Sequence, residues 1–424
     1  MTKRLKIWSG LGLAAIGSAS LANAAGVGVF APPPAANGYI LVQDAGGEGG
    51  GEGGGSAPGS YIMGSTDENA FKYDAAAQIS SYADLVNTSY SAALIAADQL
   101  EKSIDALLAT PNDTTLAATR AAWVAARPAY LKTETFRFYD GPIEDVEGSI
   151  NAWPMNEAFI DYVDGKANAG IINDPTIVLS AETIGGKNQV SDEADVTVGW
   201  HAIEFLLWGQ DLSTTAPGNR PVADFISGQG NNDRRRTYLK LVTSKLVQDL
   251  SGLEQAWSST NKGNYRDTFL ALPQREALGR MINGMAILAG FEFMSERLSV
   301  ALDSGDQEDE HSCFSDTTKQ DFIYDLVGIK QVWTGDNDAT NRAGLDELVR
   351  SQNAALADKV DALLADTETK IAALGDPWDQ VLASSKGSPE RVAAEAVIVA
   401  LQSLATGLTA VGNQLGVLVL VPAG

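Results

Sequence analysis

The chain has 424 residues, with 30 Lys and Arg against 54 Asp and Glu and a formal net charge of -24. So acidic a protein repels nucleic acid and anionic headgroups and attracts cations, which excludes nucleic-acid binding as its role. A single cysteine excludes an intramolecular disulfide, and two histidines limit any imidazole-based chemistry to His201 and His311.

Lys3, Arg4 and Lys6 precede an apolar run from Ile7 to Leu21, followed by Ala22-Asn23-Ala24 with small residues at its outer positions. This reads as a secretory signal over residues 1–24, so the mature protein is expected in the periplasm or outer cell envelope of a bacterium. The run is too short and too rich in Gly and Ser for a bilayer span, and no membrane span is expected in the mature chain. From residue 25 to 66 the composition shifts to Pro, Gly and Glu, including the run from Gly46 to Gly55. Too few apolar side chains stand there to offset the entropy of ordering, which predicts a flexible tether.

Beyond the tether the apolar spacing is helical. Ile79, Tyr82, Val86, Tyr90, Ala93, Ala97, Leu100, Ile104 and Leu107 step by three and four, predicting a helix from about Asn69 to Leu108. Pro111 ends it, and Asn112-Asp113 caps the next. The rhythm returns from Leu239 to Trp257, from Arg275 to Leu302, from Leu356 to Leu374 and from Val397 to Leu418. Thr176-Ile177-Val178-Leu179 is the best strand candidate, with a buried loop as the alternative. The chain is therefore expected to be all-α, with helical-bundle lobes over 67–230 and 231–424 and a long irregular segment between helices.

Arg120, Trp123, Arg127, Tyr130 and Glu134 also step by three and four. Two arginines and a glutamate among aromatics form either a solvated face or a partly buried charge network. The segments Phe136-Arg137-Phe138-Tyr139-Asp140-Gly141-Pro142 and Ile150-Asn151-Ala152-Trp153-Pro154 are irregular and aromatic, as in loops packed over a site.

Gly199-Trp200-His201-Ala202-Ile203-Glu204-Phe205-Leu206-Leu207-Trp208-Gly209 has helical spacing between glycine brackets. His201 and Glu204 share one face there, and a first-turn position favours the neutral imidazole. Neutral imidazole beside carboxylate is a metal-ligand pair; the alternative is a buried structural pair. Glu308-Asp309-Glu310-His311-Ser312-Cys313-Phe314-Ser315-Asp316 holds the other histidine. Ser315 or Asp316 is expected to cap the helix that follows, and the loop to fold against His201, adding His311 or Glu310.

Neither a His-Glu-x-x-His zinc motif nor paired Glu-x-x-His motifs of di-iron bundles occur. Gly199-x-His201-x-x-Glu204 resembles the signature of the imelysin family, and the Arg120-to-Tyr130 helix running into Phe136–Pro142 is similar to the same family. The Glu310–Asp316 segment resembles its iron-regulated protein A branch. The resemblance implies an imelysin-type fold of two bundle-like halves and a role as a metallopeptidase or in iron uptake. The candidate ligands are then His201 and Glu204 with His311 and Glu310, and iron is expected before zinc. Arg120, Arg127, Tyr130, Glu134, Asp140, Trp200 and Asp316 are candidates to orient them or hold a small anionic or metal-chelate ligand. Under a peptidase reading Glu204 is the catalytic group; under a binding reading the chain serves a peptide or envelope protein partner.

Overall fold

The computed structural model describes residues 39–42, 61–65, 67–336 and 342–422. The expected signal and most of the expected tether lie outside these residues. Helix α1 (Ala76–Ala109) starts later than its spacing suggests. Phe71 adopts φ 58 just before it, and Gln274 and Asp74 accept the N–H groups of Ala75 and Ala76. Helix α2 (Asp113–Leu131) opens with a reciprocal capping box between Asn112 and Thr115 and continues through Pro128. There follow α3 (Gly199–Trp208), α4 (Asn232–Trp257) and α5 (Gln274–Ile287), which runs on as a π-helix over Leu288–Ser299 and ends in Val300–Ser304. Helices α6 (Thr318–Thr334), α7 (Leu345–Gln352), α8 (Ala354–Ala372) and α9 (Pro389–Leu415) complete the helices of eight residues or more among the described residues, with shorter turns of helix between them.

Helix α1 packs along α2 and α4, α3 lies against α2 and α4, and α9 packs along α8, α5 and the π-helix. Helix α6 touches both groups, through α2 and through α8. The expected division at 230/231 falls immediately before α4, which packs on α1 and α3. The buried apolar side chains of all these helices form one contiguous core. Helix α9 has the length and apolar content to cross a bilayer, but Val397, Leu401, Leu404, Leu408, Val411 and Leu415 are buried in that core.

Three expectations need correction. Two stretches of the tether are strands: β1 (Tyr39–Val42) pairs antiparallel with β2 (Tyr61–Ser65), which pairs with β3 (Val417–Leu418) next to α9. Tyr-Ile-Leu-Val and Tyr-Ile-Met are islands of strand-forming residues whose signal the surrounding glycines dilute. Thr176–Leu179 is a loop, with Val178 76 % exposed and no strand beside it among the described residues. Neither Ser315 nor Asp316 caps α6; its N-cap is Thr317, which makes no side-chain capping bond, because Ser315 is committed to Glu204.

The short 3-10 segment Glu134–Phe136 after α2 is wedged between α5 and α6. A Cβ at Gly284 of α5 would collide with the carbonyl oxygen of Thr135, so this approach needs glycine. Glu134, fully buried, accepts from Arg137 Nη1 at 2.7 Å and Arg297 Nη2 at 2.5 Å. Arg297 also reaches Asp325 at 2.6 Å and Glu292 at 3.1 Å. The polar stripe is therefore a buried network rather than a solvated face. Burial alone would raise the Glu134 carboxyl, but Arg137 and Arg297 outweigh it and hold it at about 2. For Asp325 burial wins, and with Glu134 and Asp321 nearby its carboxyl is pushed up to about 8 although Arg297 opposes.

Two outcomes follow. Gly284→Ala should cost about 1–3 kcal/mol in urea unfolding by forcing α5 off Thr135. Gly252→Ala, at an α4 position with nothing within 4 Å, should instead gain about 0.4–1 kcal/mol. Equal effects would contradict the wedge. A carboxyl whose folded pKa is raised stabilises fully below its unfolded value and loses that contribution as pH rises through the folded one. Asp325 (3.8 to about 8) and Glu144 (4.5 to about 7, mainly by burial) both act in this sense. His201 and His311, both lowered, act oppositely but only as pH falls below 6.5. The urea midpoint should therefore fall between pH 6.5 and 8.5, less steeply in Asp325→Asn; a flat or rising profile would count against the assignment.

Candidate functional site

Helix α3 is placed by its brackets. Gly199 sits at φ +91 with the Ile150 carbonyl where a Cβ would project, so only glycine admits this entry. At the far end Arg120 donates to the carbonyls of Leu207 and Arg220 and stacks on Trp208, and Trp123 Nε1 donates to the Trp200 carbonyl at 3.1 Å. Every residue of α3 is buried. Arg120 thus holds the helix and does not touch the histidine pair.

His201 Nδ1 lies 2.9 Å from Glu204 Oε2, and Glu204 Oε1 accepts from the Ser315 N–H at 2.9 Å and its hydroxyl at 2.7 Å. Both carboxylate oxygens carry hydrogen bonds, and through Oε2 Glu204 orients the ring. His201 is held well below its ordinary pKa, first by burial and then by Arg127, so the neutral ring is expected, for a different reason from the helix dipole. Burial pushes Glu204 up to about 8 against its bonds from Ser315. One proton therefore lies between Oε2 and Nδ1. On the carboxyl, it leaves Nε2 as N–H; on Nδ1, with the carboxylate ionised, it leaves Nε2 a free lone pair. The ligand form of the pair is reached by releasing one proton. His201 Nε2 is buried and has no hydrogen-bond partner.

The His311 loop does fold against this pair: the two imidazole centroids are 4.9 Å apart. His311 repeats the arrangement, with Nδ1 2.6 Å from Asp321 Oδ2, an oxygen that also accepts from the Ser312 hydroxyl at 2.6 Å. Its Nε2 stands a long 3.4 Å from Asn151 Nδ2. Arg127, under the rings of Trp200 and Tyr130, donates to Asn151 Oδ1 at 2.7 Å and approaches Asp321 at 3.5 Å. Each histidine is thus a carboxylate–imidazole dyad of the kind that second-shell carboxylates build around metals. A narrow cleft borders His201, His311, Glu308, Glu310 and Cys313. That donor set, with an orphaned imidazole nitrogen, fits a borderline cation. Cys313 is buried and its thiol is pushed well up, first by burial and then by Glu204, which removes it as a thiolate nucleophile.

Of the other candidates, Trp200 and Tyr130 pack together at 6.0 Å beneath Arg127. Glu134 belongs to the Arg137–Arg297 network and bonds neither histidine. Asp140 is exposed at φ 60 in the turn after the aromatic segment, away from the dyads' hydrogen bonds. Asp316 faces Asp211 and Asp379, as part of a separate acidic group. Sequence reasoning missed Asp321, Asn151 and Ser312. Asp321 lies ten residues beyond His311 on another element, a separation with no local periodic signature.

The imelysin family model matches residues 86–409. The chain is 23 % identical over 326 residues to iron-regulated protein A of Synechococcus elongatus, covering 75 % of this chain and 80 % of that one. A crystal structure of a putative iron-regulated protein A precursor from Parabacteroides distasonis superposes with a TM-score of 0.66 at 18 % identity, covering 84 % of this chain and 98 % of that one. An imelysin-like protein from Psychrobacter arcticum gives 0.60 at 17 %, covering 82 % and 99 %. These structures share the all-α fold, and with a family match spanning most of its length this chain belongs to the imelysin family.

Proposed function

We propose that this chain is exported to the bacterial cell envelope and binds a metal ion there, iron before zinc, in the service of iron acquisition. The carrying observation is the buried, partnerless Nε2 of His201, whose ring lines one cleft with that of His311, each ring fixed through Nδ1 by a carboxylate. His201 and His311 would hold the ion, with Glu308 as a carboxylate candidate on the cleft wall; Glu310 lines the same cleft, but its carboxylate faces Asp379, Thr318 and Asp316. Glu204 and Asp321 would select the tautomer and raise the basicity of the rings. The signal-like first 24 residues support export, as does the word precursor in the name of the Parabacteroides relative. The iron regulation in two relatives' names supports the choice of metal. The peptidase reading asks Glu204 to serve as a free general base, whereas Ser315 and His201 occupy both of its oxygens.

Elemental analysis of untagged protein after loading with ferrous, ferric or zinc ions should find about one equivalent per chain, lost in His201→Ala with its helical circular dichroism intact. Glu204→Gln should keep the fold and bind about 10–100-fold more weakly. Wild-type protein that stays metal-free after all three loadings would sink the proposal. Peptide hydrolysis abolished by chelators and by Glu204→Gln would favour the peptidase instead.

A further inference from the structure

A second group of carboxylates lies beside the first site and is not used by it. Asp211 stands in the loop after α3, Asp316 follows Ser315 in the His311 loop, and Asp379 is the second residue of the segment Trp378–Leu382. One oxygen from each lies within 4.8 Å of the others. That bound admits a shared ion with oxygen bonds of about 2.3–2.6 Å, the range for calcium; magnesium demands near-ideal octahedral geometry and gives up its waters reluctantly, which suits it less to a site gathered from three separate segments.

Crowded acids alone would say little, but Glu310, outside this trio, points at it. Glu310 is 2 % exposed, neither of its oxygens makes a hydrogen bond of normal geometry, and of the side chains facing it, Asp379, Thr318 and Asp316, only the Thr318 hydroxyl is a donor when the carboxyls are ionised. Asp379 is equally buried and neither of its oxygens makes such a bond. Asp211 is oriented, accepting from the Ser213 N–H at 2.8 Å and from Gln307 Nε2 at 2.7 Å. The largest influences on Asp211, Asp316, Asp379 and Glu310 are burial and neighbouring carboxylates and polar groups, with no Lys or Arg among them. Buried carboxylates without cationic partners either share protons or hold a metal ion. Asp316 is half-buried, which leaves the trio an opening to solvent.

We propose that Asp211, Asp316 and Asp379, backed by Glu310, form a calcium site that ties the loop after α3, the His311 loop and the Trp378 segment together. It would act one residue from Ser315, whose two hydrogen bonds hold Glu204. This site is chemically distinct from the histidine pair: all its ligands are oxygens, suited to a hard cation.

The test uses the full chain, stripped with chelator and titrated with calcium chloride or magnesium chloride while thermal unfolding is followed by circular dichroism. Calcium should raise Tm progressively, and magnesium should do so far less. Asp379→Asn should weaken the calcium response by about tenfold or more without lowering Tm in the absence of calcium, because the amide relieves carboxylate repulsion. Asp316→Asn, at the more exposed position, serves the same purpose if Asp379→Asn fails to fold. His201→Ala should leave the response intact, which separates failure here from failure of the histidine site. No calcium-dependent shift up to about 10 mM, above the weakest range for extracellular calcium modules, would overturn the proposal. So would a magnesium response as large as that of calcium, a full response in both Asp variants, or a response lost only in His201→Ala.

Discussion

The structure depends on keeping charge in places that water cannot reach. Arg127, Arg137 and Arg297 are nearly or wholly buried, and around them stand Glu134, Glu147, Glu292, Asp321 and Asp325. Arg137 and Arg297 each serve several carboxylates, so their positions are set by all of them at once, and Arg127 joins Asp321 to Asn151. Arg297 on the π-helix, Glu134 after α2 and Asp325 on α6 are consequently locked together. Removing one partner would leave the others charged and unpaired, which is why such networks specify a single arrangement.

The candidate site inherits that rigidity one step out. Asp321 and Asp325 sit a helical turn apart on α6, one bound to His311 and the other to Arg297. Arg127 connects the first of them to Asn151 and to the aromatic floor under α3. An imidazole held through Nδ1 cannot swing, so its Nε2 keeps one direction without a ligand to fix it. Preorganisation of this kind lowers the cost of capturing an ion.

Much of this was legible in the sequence where the signal is local. The 3/4 spacing located the long helices, Asn112 announced the start of α2, and the glycines around Trp200 and Trp208 marked both ends of α3. The meeting of His201 with His311 was also readable, through the resemblance of the two segments that carry them. What could not be read was allegiance: Ser315 looked like a cap and serves Glu204, Asp316 looked like a support for the histidine site and faces Asp379, and Asp140 looked like another and is exposed. A side chain's partner on a distant element leaves no period in the chain. The same holds for strands β1 and β2, whose pairing with β3 spans most of the sequence.

The π-helix over Leu288–Ser299 bears on the charge network through its winding. Five residues, not four, close each of its turns, which is how Glu292 comes to hydrogen-bond Arg297. Were the same twelve residues wound at the α-helical step of about 100° per residue, each would turn further than it does here and the difference would accumulate along the stretch. Arg297 would then face away from Glu134 and Asp325, although no side chain in the network had been changed. The winding of this stretch is as much a member of the charge network as the groups it carries.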